Sequence, residues 1–149
     1  MELQLVVFKL GSADFGARIE QIREINRLVP ITGVPKAPSG VLGIINLRGT
    51  VIPVISLRER FGFPQVAADG YTRIVVSEVG GQTVGFVVDA VTEVLRVDDG
   101  AIEPAPENST GVDSSFIAGI GKVGDRLIIL LDLERVVDVR LLSRDEKTD

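Results

Sequence analysis

Residues 41–57 read VLGIINLRGTVIPVISL, and Arg48 carries the single charge among them. A guanidinium stays protonated near neutral pH, and burying one without a partner is costly. The apolar residues on both sides read as buried β-structure. Arg48 therefore needs an ion-pair partner, an exit to water or a binding role. The stretch has an echo in IAGIGKVGDRLIILLDL (117–133), where Gly119, Ile120, Ile128 and Leu133 align with Gly43, Ile44, Ile52 and Leu57. Gly124 takes the position of Arg48 there, so the second copy lacks the cation at the equivalent place.

LVVFKLGSADFGARIEQIREI (5–25) is echoed by IVVSEVGGQTVGFVVDAVTEV (74–94). The alignment pairs Val6 with Val75, Val7 with Val76, Gly11 with Gly80, Gly16 with Gly85 and Glu24 with Glu93. Both sets of segments keep their order. The chain thus reads as an internal duplication of a β-rich unit, divided near residues 64–70, with a longer middle loop in the second copy.

Each unit opens with a strand, a glycine-containing turn and a strand: residues 3–10 and 15–19, then 74–79 and 83–89. Gly80-Gly81 is a hairpin signal. Pro30, Pro35 and Pro38 interrupt the first unit and Pro104 and Pro106 the second, which fits edges and loops. Helix is expected only over 56–61 and 133–142, and the polar SRDEKTD at 143–149 reads as a frayed tail. Short strands with frequent turns give an all-β chain, as small barrels or a sandwich. Halves of roughly 70 residues are marginal alone, so they are expected to pack together as one domain over 1–142, with a groove at the joint.

The net charge of −5, one Tyr and no Trp argue against a nucleic-acid surface. No apolar run is long enough to span a bilayer, and MELQLVVFKLG lacks the basic flank and cleavage site of a signal peptide. A cytoplasmic monomer is the expectation.

Without His or Cys the chain has no Ser-His or Cys-His pair, no imidazole or thiolate metal ligand and no usual proton shuttle. Asp98-Asp99 reads as a turn, the Glu103 to Glu107 region is broken by prolines, and Asp132 reads as a helix cap. GIGKVG (119–124) matches G-x-G-x-x-G, but a strand follows it where a dinucleotide site needs a helix. No enzyme, cofactor or metal is expected.

The segments GIINLRGTVIPVISLRERFG (43–62), VGFVVDAVTEVLRV (84–97), IEPAPE (102–107) and GIGKVGDRLIILLDLERVV (119–137), in this order, resemble the CheW family of bacterial chemotaxis coupling proteins. The likeness runs from Leu3 to near Val137. It implies two interlocked five-stranded SH3-like β-barrels on a common hydrophobic core. It also implies a non-catalytic adaptor joining chemoreceptor tips to the regulatory domain of a CheA-type histidine kinase, in arrays at the membrane. A CheW-like scaffold of another receptor–kinase pathway, for motility or surface behaviour, is the alternative. No receiver segment is evident, which suits a stand-alone coupler.

The NLRG arginine and the preceding acid are characteristic of the family, here Arg48 and Glu24. A partly buried Glu24–Arg48 pair near a receptor-binding groove, with Asn46 of the NLRG core beside it, is the expectation. A purely structural ion pair, or an arginine whose stem packs while its head reaches water, is the competing reading. Ile22, Gly85, Val91 and Val94 match the family's apolar groove positions. For Val91 and Val94 ordinary core packing, and for Gly85 a bulge or close-packing site, are the competing readings. Kinase docking points to the first unit's irregular apolar edge, Val34, Pro35, Val41, Gly43 and Ile44.

Overall fold

The computed structural model of the protein describes residues 1–38, 40–106 and 110–137. Its strands are β1 (Glu2–Leu10), β2 (Ala13–Arg18), β3 (Ile22–Arg27), β4 (Val41–Leu47), β5 (Thr50–Ser56), β6 (Arg73–Val79), β7 (Gln82–Val88), β8 (Ala90–Asp98), β9 (Ile102–Glu103), β10 (Ile117–Val123) and β11 (Arg126–Leu131). Two short helices follow the last strand of each unit, α1 (Leu57–Phe61) and α2 (Leu133–Val137). Ser56 caps α1 by accepting from the Glu59 amide at 3.2 Å. Asp132 caps α2, accepting from the Arg135 amide. The expected continuation of α2 to 142, the tail at 143–149 and Glu107 lie outside the described residues.

The duplication is visible in the pairing. One sheet runs β3-β6-β7-β5-β4 and the other β8-β1-β2-β11-β10-β9. Each is made of the opening hairpin of one unit and the later strands of the other, so the two barrels are interlocked. The join is parallel in both: Val54 opposite Gly85, and Leu130 opposite Gly16. Residues 64–70 form the connection between α1 and β6, and both sheets draw strands from either side of it. The second barrel has a sixth strand, the two-residue β9, where the first, among the described residues, has the Thr32–Ile44 bridge.

This layout explains the long apolar runs. Side chains alternate across a strand, but here both faces are covered. Leu5 and Val7 of β1, with Val97, Ile128 and Leu130, fill one barrel. Ile74 and Val76 of β6, with Ile45, Leu47, Ile52 and Val54, fill the other. The intervening residues, among them Phe8, Leu10, Val75, Ile55, Leu57, Leu131 and Leu133, meet between the barrels in a shared core with Phe15, Phe61 and Phe86. Strands buried on both faces read as continuous hydrophobic stretches.

Gly43 and Gly119, paired in the alignment, each sit at a register shift, in β4 and β10. Gly43 has φ 152°, and a Cβ there would lie 2.0 Å from the Thr32 carbonyl oxygen. The glycine lets the 29–38 segment bond to β4, with Thr32 N–H donating to Ile44 O at 2.9 Å and Ile44 N–H to Thr32 O at 2.8 Å. Pro53, opposite Ile44, sits just before the parallel pairing of β5 with β7 begins at Val54. A proline there removes no ladder bond.

Candidate functional site

Arg48 lies in the two-residue turn between β4 and β5, with φ 51° at Arg48 and 87° at Gly49. Two successive positive φ values define the type I′ hairpin, whose twist matches the strands and whose usual residues are Asn and Gly. Asn46 Oδ1 accepts from the Gly49 amide at 2.8 Å and fixes the turn. The charge that interrupts the apolar run is therefore at a hairpin tip, outside the barrel.

From the tip, Arg48 Nη2 donates to Glu24 Oε2 at 2.5 Å. Glu24 is on β3, and β3 and β4 are the two ends of the sheet order, so the pair spans the seam where the barrel closes. Glu24 is half-buried, whereas the Arg48 side chain is 71% exposed. The expected burial of the pair thus holds for the carboxylate and not for the cation. The hydrogen bond from Arg48 lowers the Glu24 pKa, with lesser help from Asn26 and Arg23 against desolvation. Arg23 itself reaches Glu78 at 2.5 Å.

The second barrel closes its seam the same way. Glu93, the counterpart of Glu24, meets Arg126 Nη1 at 2.7 Å. Arg126 stands two residues after Gly124, which has φ 61°. The second unit thus has a seam cation, displaced from the place where alignment looked for it. The position aligned with Arg48 is a glycine, as the sequence comparison has it, and the fold draws its cation from two residues later. Arg126 is also tied to Asp14 at 3.3 Å, and Asp14 to Lys9 at 2.8 Å. Glu24 is the ion-pair partner of Arg48 among the described residues.

The other expected receptor positions divide. Ile22 starts β3 and packs against the shared core, as does Val91 on β8. Gly85 is buried in β7, where a Cβ would stand 2.9 Å from Ile74 Cγ2, so it acts through packing beneath the surface. Val94 is 51% exposed on β8. Its counterpart Ile25, on the same strand as Glu24, is also exposed, and sequence reading passed over it. The signal for it was the repeat itself, since Ile25 aligns with Val94.

Four of the five residues expected to face the kinase, Val34, Val41, Gly43 and Ile44, line one groove of about 480 Å³ with Ala37, Pro38, Thr50, Val51, Pro53, Gln82 and Thr83. Pro35 is exposed in the adjoining turn. Val51 is 63% exposed on the groove wall. The other barrel has the counterpart groove, about 510 Å³, where Ile120, Leu127 and Ile129 replace Ile44, Val51 and Pro53. That groove carries Asp14, Glu103 and Lys122, whereas the first has no charged lining among the described residues.

Arg58 and Asp89 form a further cluster that sequence reading did not single out. Arg58, on α1, grips Asp89 with Nε at 2.9 Å and Nη2 at 2.5 Å, and donates to the Pro64 carbonyl at 2.8 Å. Asp89 also accepts from the Gly11 amide at 2.7 Å. This clamp joins the β7–β8 junction, the β1–β2 turn and α1.

Among the described residues no group of three acidic, His or Cys side chains is placed to hold a metal ion, and no helix is long and apolar enough to cross a membrane. The CheW-like domain model matches residues 4–140. A probable chemotaxis protein CheW of Rhizobium etli is 38% identical, covering 88% of this chain and 84% of its own. The chemotaxis protein CheW of Klebsiella aerogenes is 34% identical, covering 96% and 83%. The crystal structure of the scaffolding protein TtCheW from Thermoanaerobacter tengcongensis superposes with a TM-score of 0.84 at 40% identity, covering 91% of this chain and 88% of that one. Its two SH3-like barrels are those expected from the sequence. This chain belongs to the CheW-like domain family.

Proposed function

We propose that this chain is a non-catalytic scaffold of bacterial chemotaxis, joining the cytoplasmic tips of chemoreceptors to the regulatory domain of a CheA-type histidine kinase. The observation that carries the reading is the match to CheW chains over nearly the whole length, residues 4–140. One barrel also offers two surfaces of different chemistry, which suits an adaptor. The Glu24–Arg48 seam, with exposed Ile25 close by in sequence, supplies donors and an apolar contact for a receptor tip. The uncharged groove around Val41, Ile44 and Val51 takes an apolar element of the kinase domain. The free protein is a cytoplasmic monomer recruited to arrays at the membrane.

The test is reconstitution with receptor-containing membranes and purified kinase. Arg48→Gly is expected to weaken receptor binding and leave kinase binding intact, and Val51→Asp to do the reverse. If both variants lose the same partner, the two-surface assignment is wrong.

A further inference from the structure

Among the described residues, the non-glycine positions with positive φ are Arg48 and Lys36. Lys36 has φ 60° and is exposed. It occupies the third position of a turn in which the Ala37 amide donates to the Val34 carbonyl at 3.2 Å, with Pro35 second. Positive φ at that position is the type II pattern, where Gly or Asn is the unstrained choice. A lysine there holds its cation at the tip of the turn against a local preference. Val34 and Ala37, on either side, line the uncharged groove. Lys36 takes part in no ion pair among the described residues.

The counterpart groove is different. There Lys122 is bound to Glu103 at 3.0 Å and Asp14 is part of the lining, so carboxylates face an incoming acid. On a chain of net charge −5, Lys36 is, among the described residues, a cation outside any ion pair beside an apolar groove. A partner presenting an aliphatic side chain with a carboxylate next to it fits the first groove and is repelled by the second.

We infer that Lys36 is a specificity-determining residue of the kinase-docking groove, pairing with a carboxylate beside the apolar element that enters it. The inference rests on the kinase-docking reading above.

Binding of purified full-length kinase to the intact chain, at two salt concentrations, tests it. Lys36→Asn relieves the turn, so the melting temperature stays level or rises. Affinity falls about five- to tenfold, with a shallower salt dependence. Lys36→Glu falls further, and co-sedimentation with receptor membranes is unchanged for both. Val51→Asp is the control for the groove itself. If Val51→Asp loses the kinase while Lys36→Asn binds like wild type, the inference about Lys36 is overturned and the groove reading stands. If Val51→Asp also binds like wild type, the groove reading falls and takes the inference with it. A lower melting temperature in Lys36→Asn together with lost binding assigns the residue a structural role and overturns its part in specificity.

Discussion

Arg48 reaches Glu24 at 2.5 Å across the seam of the first barrel, from a backbone conformation that suits glycine. The second barrel makes the matching contact, Arg126 to Glu93, from the first residue of a strand and leaves the turn to Gly124. Seam closure by itself therefore does not require an arginine in a left-handed turn. What the turn position adds is exposure. Arg48→Gly should keep or raise the melting temperature, because the strained residue is relieved. Receptor co-sedimentation should fall roughly tenfold if Arg48 is an interface anchor. A large loss of stability would instead make the pair purely structural.

The network around Arg126 is expected to behave in the opposite way. Arg126 bonds to Glu93 and Asp14, and Asp14 to Lys9, so Arg126→Ala leaves two carboxylates short of a partner. Thermal denaturation should register the loss, while receptor binding by the folded variant stays at wild-type level. A selective loss of receptor binding would move the interface to the second barrel.

Gly43→Ala puts a methyl carbon on the Thr32 carbonyl at a φ that disfavours side chains. Overpacking and strain together are expected to cost about 3 kcal/mol in urea denaturation. The groove proposed for kinase docking, which the Thr32 bridge flanks, should be disturbed with it. Gly124→Asn, at an open turn with nothing near the Cβ, should change stability by no more than about 0.5 kcal/mol.

Acid should act through Asp89. The paired Arg58 guanidinium holds its carboxyl below the usual range, the Gly11 amide adds to this, and burial opposes it. The folded form then binds the proton less readily than the unfolded chain. The resulting stability is in place above about pH 4 and is lost as pH falls through the folded pKa. Asp89→Asn keeps an acceptor for Gly11 but removes the charge. It should cost about 2 kcal/mol at pH 7, and the gap to wild type should narrow toward pH 3. A gap independent of pH would mean that the charge of Asp89 contributes nothing.

Much of this molecule is legible in the chain because it was written twice. Gly43 with Gly119, and Gly16 with Gly85, mark matching bulges and close contacts, and the hairpins at 11–12 and 80–81 fall where the glycines are. The exchange of hairpins between units was not legible in the apolar pattern, since the same alternation serves a strand in either sheet. Arg126 was missed because a function carried by one side chain can move two residues across a turn while the fold is unchanged. Arg58 and Asp89 lie 31 residues apart, and only the packed structure brings the helix to the β7–β8 junction. The uncharged groove depends on which residues of a proline-rich segment face outward, and no periodicity records that.

Co-sedimentation of the kinase with receptor-containing membranes, with and without this chain, is the most direct measurement. With wild-type protein, kinase should move from the supernatant into the membrane pellet, and it should stay behind when the chain is omitted. A chain that pellets with neither partner and leaves the kinase distribution unchanged would contradict the scaffold function.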